Sequence, residues 1–304
     1  MAATQKERVE TSLSEVRVLV LGAQILLGFQ YRASFEPGFP SLPGIAQYFQ
    51  VTALVLLVVS VACMIALAPH HRFVSGGHAT ARAERHTKRM ALLALVPFAL
   101  ALGMNFSAVL ARQVGLFAAC GIGVAVAAAA LSCWFGPALA RHRSSNPKGD
   151  EMVSTKDRIT ELLTEARIVL PGVQALLGFQ FASYLTTAFE KLPPAAKMAN
   201  TTSLFLLVLA MVLLMTPAPY HRLAEGGENT EHFERVTEQL VLAALAVLAF
   251  GVAGDMFVVT SVVLGTWAGA AVALACAAGM VGLWFGVPLL AAQRHPGSAP
   301  PPSD

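Results

Sequence analysis

Apolar runs broken by short polar stretches set the rhythm of this chain. Most of them approach the roughly 20 residues that carry an α-helix across about 30 Å of hydrocarbon. Eight are expected to be transmembrane helices: residues 16–33, 51–68, 90–110 and 115–134, then the run that opens at Glu165, 201–216, 240–260 and 264–284. The expected fold class is therefore all-α, a polytopic membrane protein. Its domains read as a four-helix membrane repeat at 1–140, a hydrophilic cytoplasmic linker at 141–153, a second repeat at 154–290 and a disordered tail at 291–304.

The two halves are copies of one unit. Glu15 to Gln30, EVRVLVLGAQILLGFQ, returns at Glu165 to Gln180 as EARIVLPGVQALLGFQ, with nine of the sixteen positions identical and the rest apolar in both. Ahead of each lies a short amphipathic segment, 4–14 and 154–164, with apolar Val9 and Leu13 four apart and Lys6, Glu7, Arg8 and Glu10 mostly opposite. It is expected to lie on the bilayer surface or to form a solvated leader. The first fifteen residues, MAATQKERVETSLSE, do not read as a cleavable signal peptide.

On the first span, at 100° per residue, Arg17, Gln24, Gly28 and Tyr31 fall within about 60° of one another, and Gln30 lies about 120° away. That stripe is expected to face protein. A bare glycine admits a neighbouring helix and an amide in hydrocarbon needs a partner, so Gln24/Gly28 and Gln174/Gly178 read as packing seams. The alternative makes Gln24, Gln30, Gln174 and Gln180 part of a polar path. Pro171 replaces Leu21 in the second copy alone and, with Gly172, is expected to kink that helix.

A second shared motif follows. Proline-rich loops at 35–47 and around Pro193 and Pro194 lead into the second and sixth spans, after which both copies read P-x-H-R: Pro69, His71 and Arg72, then Pro219, His221 and Arg222. Either the histidines carry protons, or His and Arg meet the last carbonyls of a helix at headgroup level. The connecting loop at 73–88 carries Glu84, Arg85 and Thr87, matched by Glu234, Arg235 and Thr237. Trp134 and Trp284, closing the fourth and eighth spans, read as interfacial anchors. Those two spans are rich in alanine and glycine and are expected in bundle interiors.

Counting basic residues orients the chain. With termini, linker and the loops near Arg72 and Arg222 on one side, that side holds seventeen of the 21 Lys and Arg, leaving Arg32, Arg112, Lys191 and Lys197 opposite. Positive-inside asymmetry then places both termini in the cytoplasm of a cell whose inner or plasma membrane the protein crosses. Four spans per copy is an even number. The repeats are thus expected to be parallel, a monomeric pseudo-dimer related by an axis along the membrane normal.

Composition narrows the function. The chain is 56% hydrophobic and 13% charged, with mean hydropathy +0.62, against about 25% charged in an ordinary soluble domain. The bilayer is the expected partner. A net charge of +3 gives no reason to expect nucleic acid. Cys63, Cys120, Cys133 and Cys276 sit in apolar runs without metal-ligand spacing and read as small buried hydrophobes. None of the eight histidines lies within a span, so neither haem nor any other cofactor or metal is expected. No nucleophile with its base and no phosphate loop appears, which disfavours an enzyme.

Asp255 is the ionisable residue well inside a span, about a turn and a half from the outer end of the seventh, where the first copy has Asn105. An intramembrane carboxylate is costly and marks a candidate site. Glu15, Glu165, Arg17 and Arg167 stand at the cytoplasmic mouth, where they are expected to pair with each other or with headgroups.

The E-x-R-x-x-x-x-G-x-Q-x-L-L-G-F-Q segment, the P-x-H-R element and the four-span length resemble a family of small bacterial integral membrane proteins of unknown function. Some of its members carry the label sodium:proton antiporter. The resemblance covers 15–136 and 165–286; a usual member matches one half only, so this chain looks like a tandem duplication of it. What the resemblance implies is transport of protons or a small cation. The competing class is a non-transporting scaffold or accessory protein whose cytoplasmic loops meet a protein partner.

Overall fold

The computed structural model describes residues 21–65, 81–140, 169–225, 230–287 and 290. Among them the backbone forms helices and turns, without strands. In chain order the helices are α1 (residues 21–33), α2 (Gly44–Ile65), α3 (Ala81–Val114), α4 (Leu116–Ala140), α5 (Val169–Ser183), the single turn α6 (Thr187–Glu190), α7 (Pro194–Met215), α8 (Pro217–Leu223), α9 (Glu231–Leu264) and α10 (Thr266–Val281), which runs on into a π-helical turn at Gly282–Gly286. The duplication is printed in these boundaries. α2, α3 and α4 begin at 44, 81 and 116, and α7, α9 and α10 at 194, 231 and 266.

Among the described residues six segments are long and apolar enough to cross a membrane: Gly44–Cys63, Leu92–Val114, Leu116–Gly136, Pro194–His221, Glu231–Leu264 and Thr266–Gly286. α5 is a shorter apolar helix, and both α1 and α5 start at the edge of a described stretch. The second and sixth spans begin a full seven residues before the expected 51 and 201. Proline is the reason. The Pro43 carbonyl accepts from Ala46 N (2.8 Å) and Gln47 N (3.1 Å), and that of Pro193 from Lys197 N (3.0 Å), so each proline opens a helix; Pro194 sits at the first helical position, where its missing N–H would have had no partner in any case.

The third and seventh spans are longer than expected as well. Glu84, Arg85 and Thr87 belong to the backbone of α3 and their counterparts to α9, where a loop was expected. Thr230 starts α9 as an N-cap: its hydroxyl accepts from Phe233 N at 3.1 Å, and Glu231 and Glu234 place negative charge in the first turn, complementing the helix dipole.

A single residue separates the third helix of each repeat from the fourth. Gly115 and Gly265 take φ of 82° and 89°, a left-handed backbone that costs a side chain roughly 1–2 kcal/mol. Gly115→Ala and Gly265→Ala are each expected to lower stability by about 1 kcal/mol, read as a fall in the thermal midpoint of the protein in detergent. An unchanged midpoint would mean that the turn relaxes freely.

Contacts divide the chain into two compact units. The first comprises Met1–Lys191 and Val208–Ala244. Within it α2 packs on α3, α3 on α4, and α4 on α8, around Leu57, Phe98, Leu102, Phe106, Trp134, Phe181 and Phe233. A Cβ on Gly103 would stand 2.5 Å from the Gly123 carbonyl oxygen, so α3 and α4 touch backbone to backbone. Trp134 is a correction: it is fully buried and its indole donates to the Val212 carbonyl at 3.3 Å, a core role in place of an interfacial one.

Both repeats contribute to this unit. The Gly38 N–H donates to the Leu185 carbonyl (2.7 Å), joining the loop after α1 to the loop after α5. Arg112 adds a clamp, donating to Ser41 Oγ (3.0 Å) and Glu190 Oε1 (2.7 Å). The Arg112–Glu190 pair is partly exposed, which limits it to about 1 kcal/mol or less.

The second unit comprises Leu192–Leu207 and Leu245–Asp304. Here the N-terminal half of α7 lies on the C-terminal half of α9. A Cβ on Gly251 would come within 3.0 Å of the Leu207 side chain, and one on Gly254 within 3.1 Å of Ser203 Cβ.

The alanine- and glycine-rich spans face outward, against expectation. Buried residues make up 67% of the span on α3, but only 22% of that on α4 and 11% of that on α10. Small side chains permit close contact yet bury little area, so bulky residues such as Phe98 and Phe106 take the centre instead.

Candidate functional site

Asp255 projects from α9 toward α7, where Ser203 meets it. The Ser203 Oγ lies 2.7 Å from Asp255 Oδ1 and 2.6 Å from the Gly251 carbonyl oxygen. Gly251 and Gly254 bracket this point and let α7 close on α9, which is what brings a short serine side chain within reach of the carbonyl one turn away. A serine hydroxyl carries one proton. That one hydrogen is shared between two acceptors, the Asp255 carboxyl and the Gly251 carbonyl.

The pair sits deeper than the sequence implied. Ser203 is nine residues from the start of α7 at Pro194, and Asp255 nine from the end of α9 at Leu264. At 1.5 Å per residue both lie roughly 13 Å from one end of their helices. Extension of α9 from the expected 260 to Leu264 accounts for the difference.

Ser203, but not Asp255, also lines an open groove of about 580 Å³. Met198, Leu206, Phe250, Phe257 and Leu274 give it apolar walls, and Ala253, Gly254, Ala273 and Ala277 leave it room. The first repeat is built differently at the equivalent positions. Ala53 and Asn105 stand for Ser203 and Asp255, and Gly103 and Gly123, touching, stand for Ala253 and Ala273. Asn105 is fully buried, and neither atom of its amide has a hydrogen-bond partner among the described residues.

The glutamines divide into two kinds. Gln30 is fully buried and accepts from the Gln50 amide, itself buried on α2. Gln174 is fully buried too, its amide oxygen lying over Gly22, where a side chain would collide with it. Gly178 receives Phe29, whose Cβ would stand 2.7 Å from a Cβ there, so the seam expected at Gln174/Gly178 is present.

Its first-copy counterpart is not. Gln24 and Gly28 are exposed, nothing lies within 4 Å of a Cβ at Gly28, and Tyr31 is 59% exposed. α1 is turned so that Gly22, Leu26, Gln30 and Ala33 face inward. The Gln30–Gln50 bond favours that rotation, because an amide buried in an apolar core is costly without a partner, and Gly22 leaves the space that the Gln174 amide fills. Gln180, the equivalent of Gln30, is buried.

Glu15, Arg17, Glu165, Arg167, His71 and Arg72 lie outside the described residues. In the second copy the P-x-H-R element, Pro219 to Arg222, falls in the last turn of a helix. It lies within α8, which carries the backbone of Arg222 and runs on to Leu223. The His221 ring packs 4.7 Å from that of Phe233, Tyr220 stacks on Phe233 at 6.0 Å, and the Tyr220 hydroxyl is 3.2 Å from His232 Nε2. This is an aromatic cluster inside the first unit. The four cysteines are free and partly exposed within their spans, less buried than expected.

Two partners passed unnoticed in the sequence, Ser203 for Asp255 and Gln50 for Gln30. Each is a polar residue in an apolar helix. Gln50 had a visible signal, since the second copy also keeps an amide there, Asn200.

Long apolar helices connected by short turns define a multi-pass α-helical membrane protein. The chain belongs to a family of unknown function, DUF6328, whose pattern it matches twice, over residues 3–137 and again over 153–288, so the duplication runs the length of both repeats. No curated protein and no solved structure matches it.

Proposed function

We propose that this protein carries protons, alone or in exchange for a cation, across a cell membrane, and that Asp255 is the residue that takes up and gives off the proton. The observation that carries this is the Asp255–Ser203 pair within two long apolar helices, with its hydroxyl shared between a carboxyl and a carbonyl. A carboxyl held there has a use for its proton, since a permanently charged one would be costly in hydrocarbon. In this proposal α1 and α5 complete two further crossings, giving eight. The Gly38–Leu185 contact supports insertion of both repeats in the same sense, because it joins the same loop of each copy. The excess of basic residues on the other loops supports cytoplasmic termini.

The test is flux. Purified protein in liposomes with an internal pH dye is expected to move protons when a proton, sodium or potassium gradient is imposed. Silence under every gradient would sink the proposal and favour a non-transporting scaffold.

The shared core also has a consequence for assembly. Fragments 1–148 and 149–304, co-expressed, are expected to copurify in mild detergent, because Trp134 to Val212, Arg112 to Glu190 and Phe29 on Gly178 all join the two. Fragments that separate would contradict a common core.

A further inference from the structure

We propose that the groove on α7, α9 and α10 seats one acyl chain of a membrane lipid. This site is separate from the proton-carrying pair. Asp255 does not line it, and Ser203, which does, has its hydroxyl engaged by Gly251 and Asp255.

The lining decides the chemistry. All three helices belong to segments apolar and long enough to cross a membrane, and among the described residues none that lines the groove is charged. A buried water needs about two to four polar partners. Between Met198, Leu206, Phe250, Phe257 and Leu274 it finds few, while an empty cleft forfeits the dispersion contacts of its walls. A hydrocarbon chain supplies those contacts and asks for no hydrogen bond. Met198, Phe250 and Leu274 remain exposed, so the groove is open to a chain from the surrounding bilayer.

Its dimensions favour a chain over a partner helix. On α7 the lining begins at Ala195, one residue inside the helix, and runs to Leu206, about 16 Å at 1.5 Å per residue. That is roughly half of a 30 Å hydrocarbon core. A lipid chain belongs to one leaflet and needs a seat of that length, whereas a spanning helix runs through the whole core. The volume, about 580 Å³, lies within the range of roughly 300–1,000 Å³ typical of small-molecule sites.

The first repeat shows how the groove arises. Gly103 and Gly123 touch there and hold α3 on α4. Ala253 and Ala273 stand at the same places in the second copy, and their methyl groups forbid so close an approach of α9 and α10. Ala195, Ala199 and Gly254 replace Ile45, Phe49 and Met104, while Phe250 and Phe257 replace Leu100 and Ser107. Three lining positions have lost bulk and two have gained a ring. Loosened packing alone would not add the rings.

The probe is phosphatidylcholine with a diazirine midway along one acyl chain, mixed into liposomes holding the full-length protein, photolysed, and its adducts mapped by mass spectrometry. In wild type, adducts at Met198, Phe257 and Leu274 are expected to be at least fivefold denser than at Val55 and Val59, which are exposed on α2. Ala199→Phe, which restores the side chain of the first repeat, is expected to lower the groove adducts at least fivefold and leave those on α2 unchanged. Ala195→Ile, at an exposed position where the fold is not at stake, is expected to lower them as well; thermal midpoints secure the folding of both. Adducts no denser in the groove than on α2 would overturn the proposal and leave annular lipid. So would groove adducts undiminished in both variants. A dimer in detergent that Ala199→Phe dissociates, with no lipid adduct in the groove, would overturn it in favour of a second copy of the chain.

Discussion

Gly103→Val separates α3 from α4 and lowers the stability of the first unit by about 3 kcal/mol, the upper end of the usual cost of overpacking. The obstacle is backbone. A Cβ at this position would stand 2.5 Å from the Gly123 carbonyl oxygen and 3.0 Å from the Ala127 Cβ, and neither can swing away as the end of a long side chain could. The helices must move apart, and Phe98, Phe106 and Trp134, all fully buried nearby on the same two helices, lose contact with them. The measurement is the thermal midpoint of purified protein in mild detergent, with Gly28→Val as the control. At Gly28 nothing lies within 4 Å of the new Cβ, so only the helix propensity of valine is felt, at most a few tenths of a kcal/mol from the glycine it replaces. Equal midpoints for the two variants would show that the Gly103–Gly123 crossing is not tight.

Asp255→Asn reduces proton flux in liposomes to the level of empty vesicles. An amide has no proton to exchange near neutral pH, while its size and shape match the carboxyl it replaces. The fold is expected to survive. Asn105 occupies the equivalent place in the first repeat, fully buried, and Ser203 can still donate to the Gly251 carbonyl. A thermal midpoint close to wild type alongside lost flux assigns the proton to Asp255. Undiminished flux with the amide in place would move the carrier elsewhere and leave the Ser203 contact a matter of packing.

Much of the fold was legible because lipid imposes a simple rule. A backbone in hydrocarbon must satisfy its own hydrogen bonds, so each long apolar run is a helix, and the repeat of Glu15 to Gln30 at Glu165 to Gln180 announced two copies. Helix ends were less legible. Pro43 and Pro193 were read as loop and proved to start helices, since proline disrupts a helix interior but suits its first turn. Faces were least legible. In a soluble helix the polar side points to water, but here both solvent and core are apolar, and the stripe of Gln24, Gly28 and Tyr31 gave no sign that it would turn outward.

The site divides the same way. Asp255 stood out as a carboxyl in an apolar helix, whereas Ser203 did not, being one of several hydroxyls whose meaning depends on what lies across from it. Its partner is 52 residues away in the chain.

By itself, then, the sequence determined that this is an all-helical membrane protein, that it is a duplication, and that its second copy carries an acid where the first has an amide. Only the tertiary structure decided which neighbours Gln30 and Asp255 have, that α4 and α10 face outward, and that a groove opens along Ser203. The physical reason is that spanning a bilayer depends on the composition of a run of residues, which is local. Pairing of an amide, a carboxyl or a bare glycine depends on helix rotation and approach, and these are set by side chains from distant parts of the chain meeting in the core.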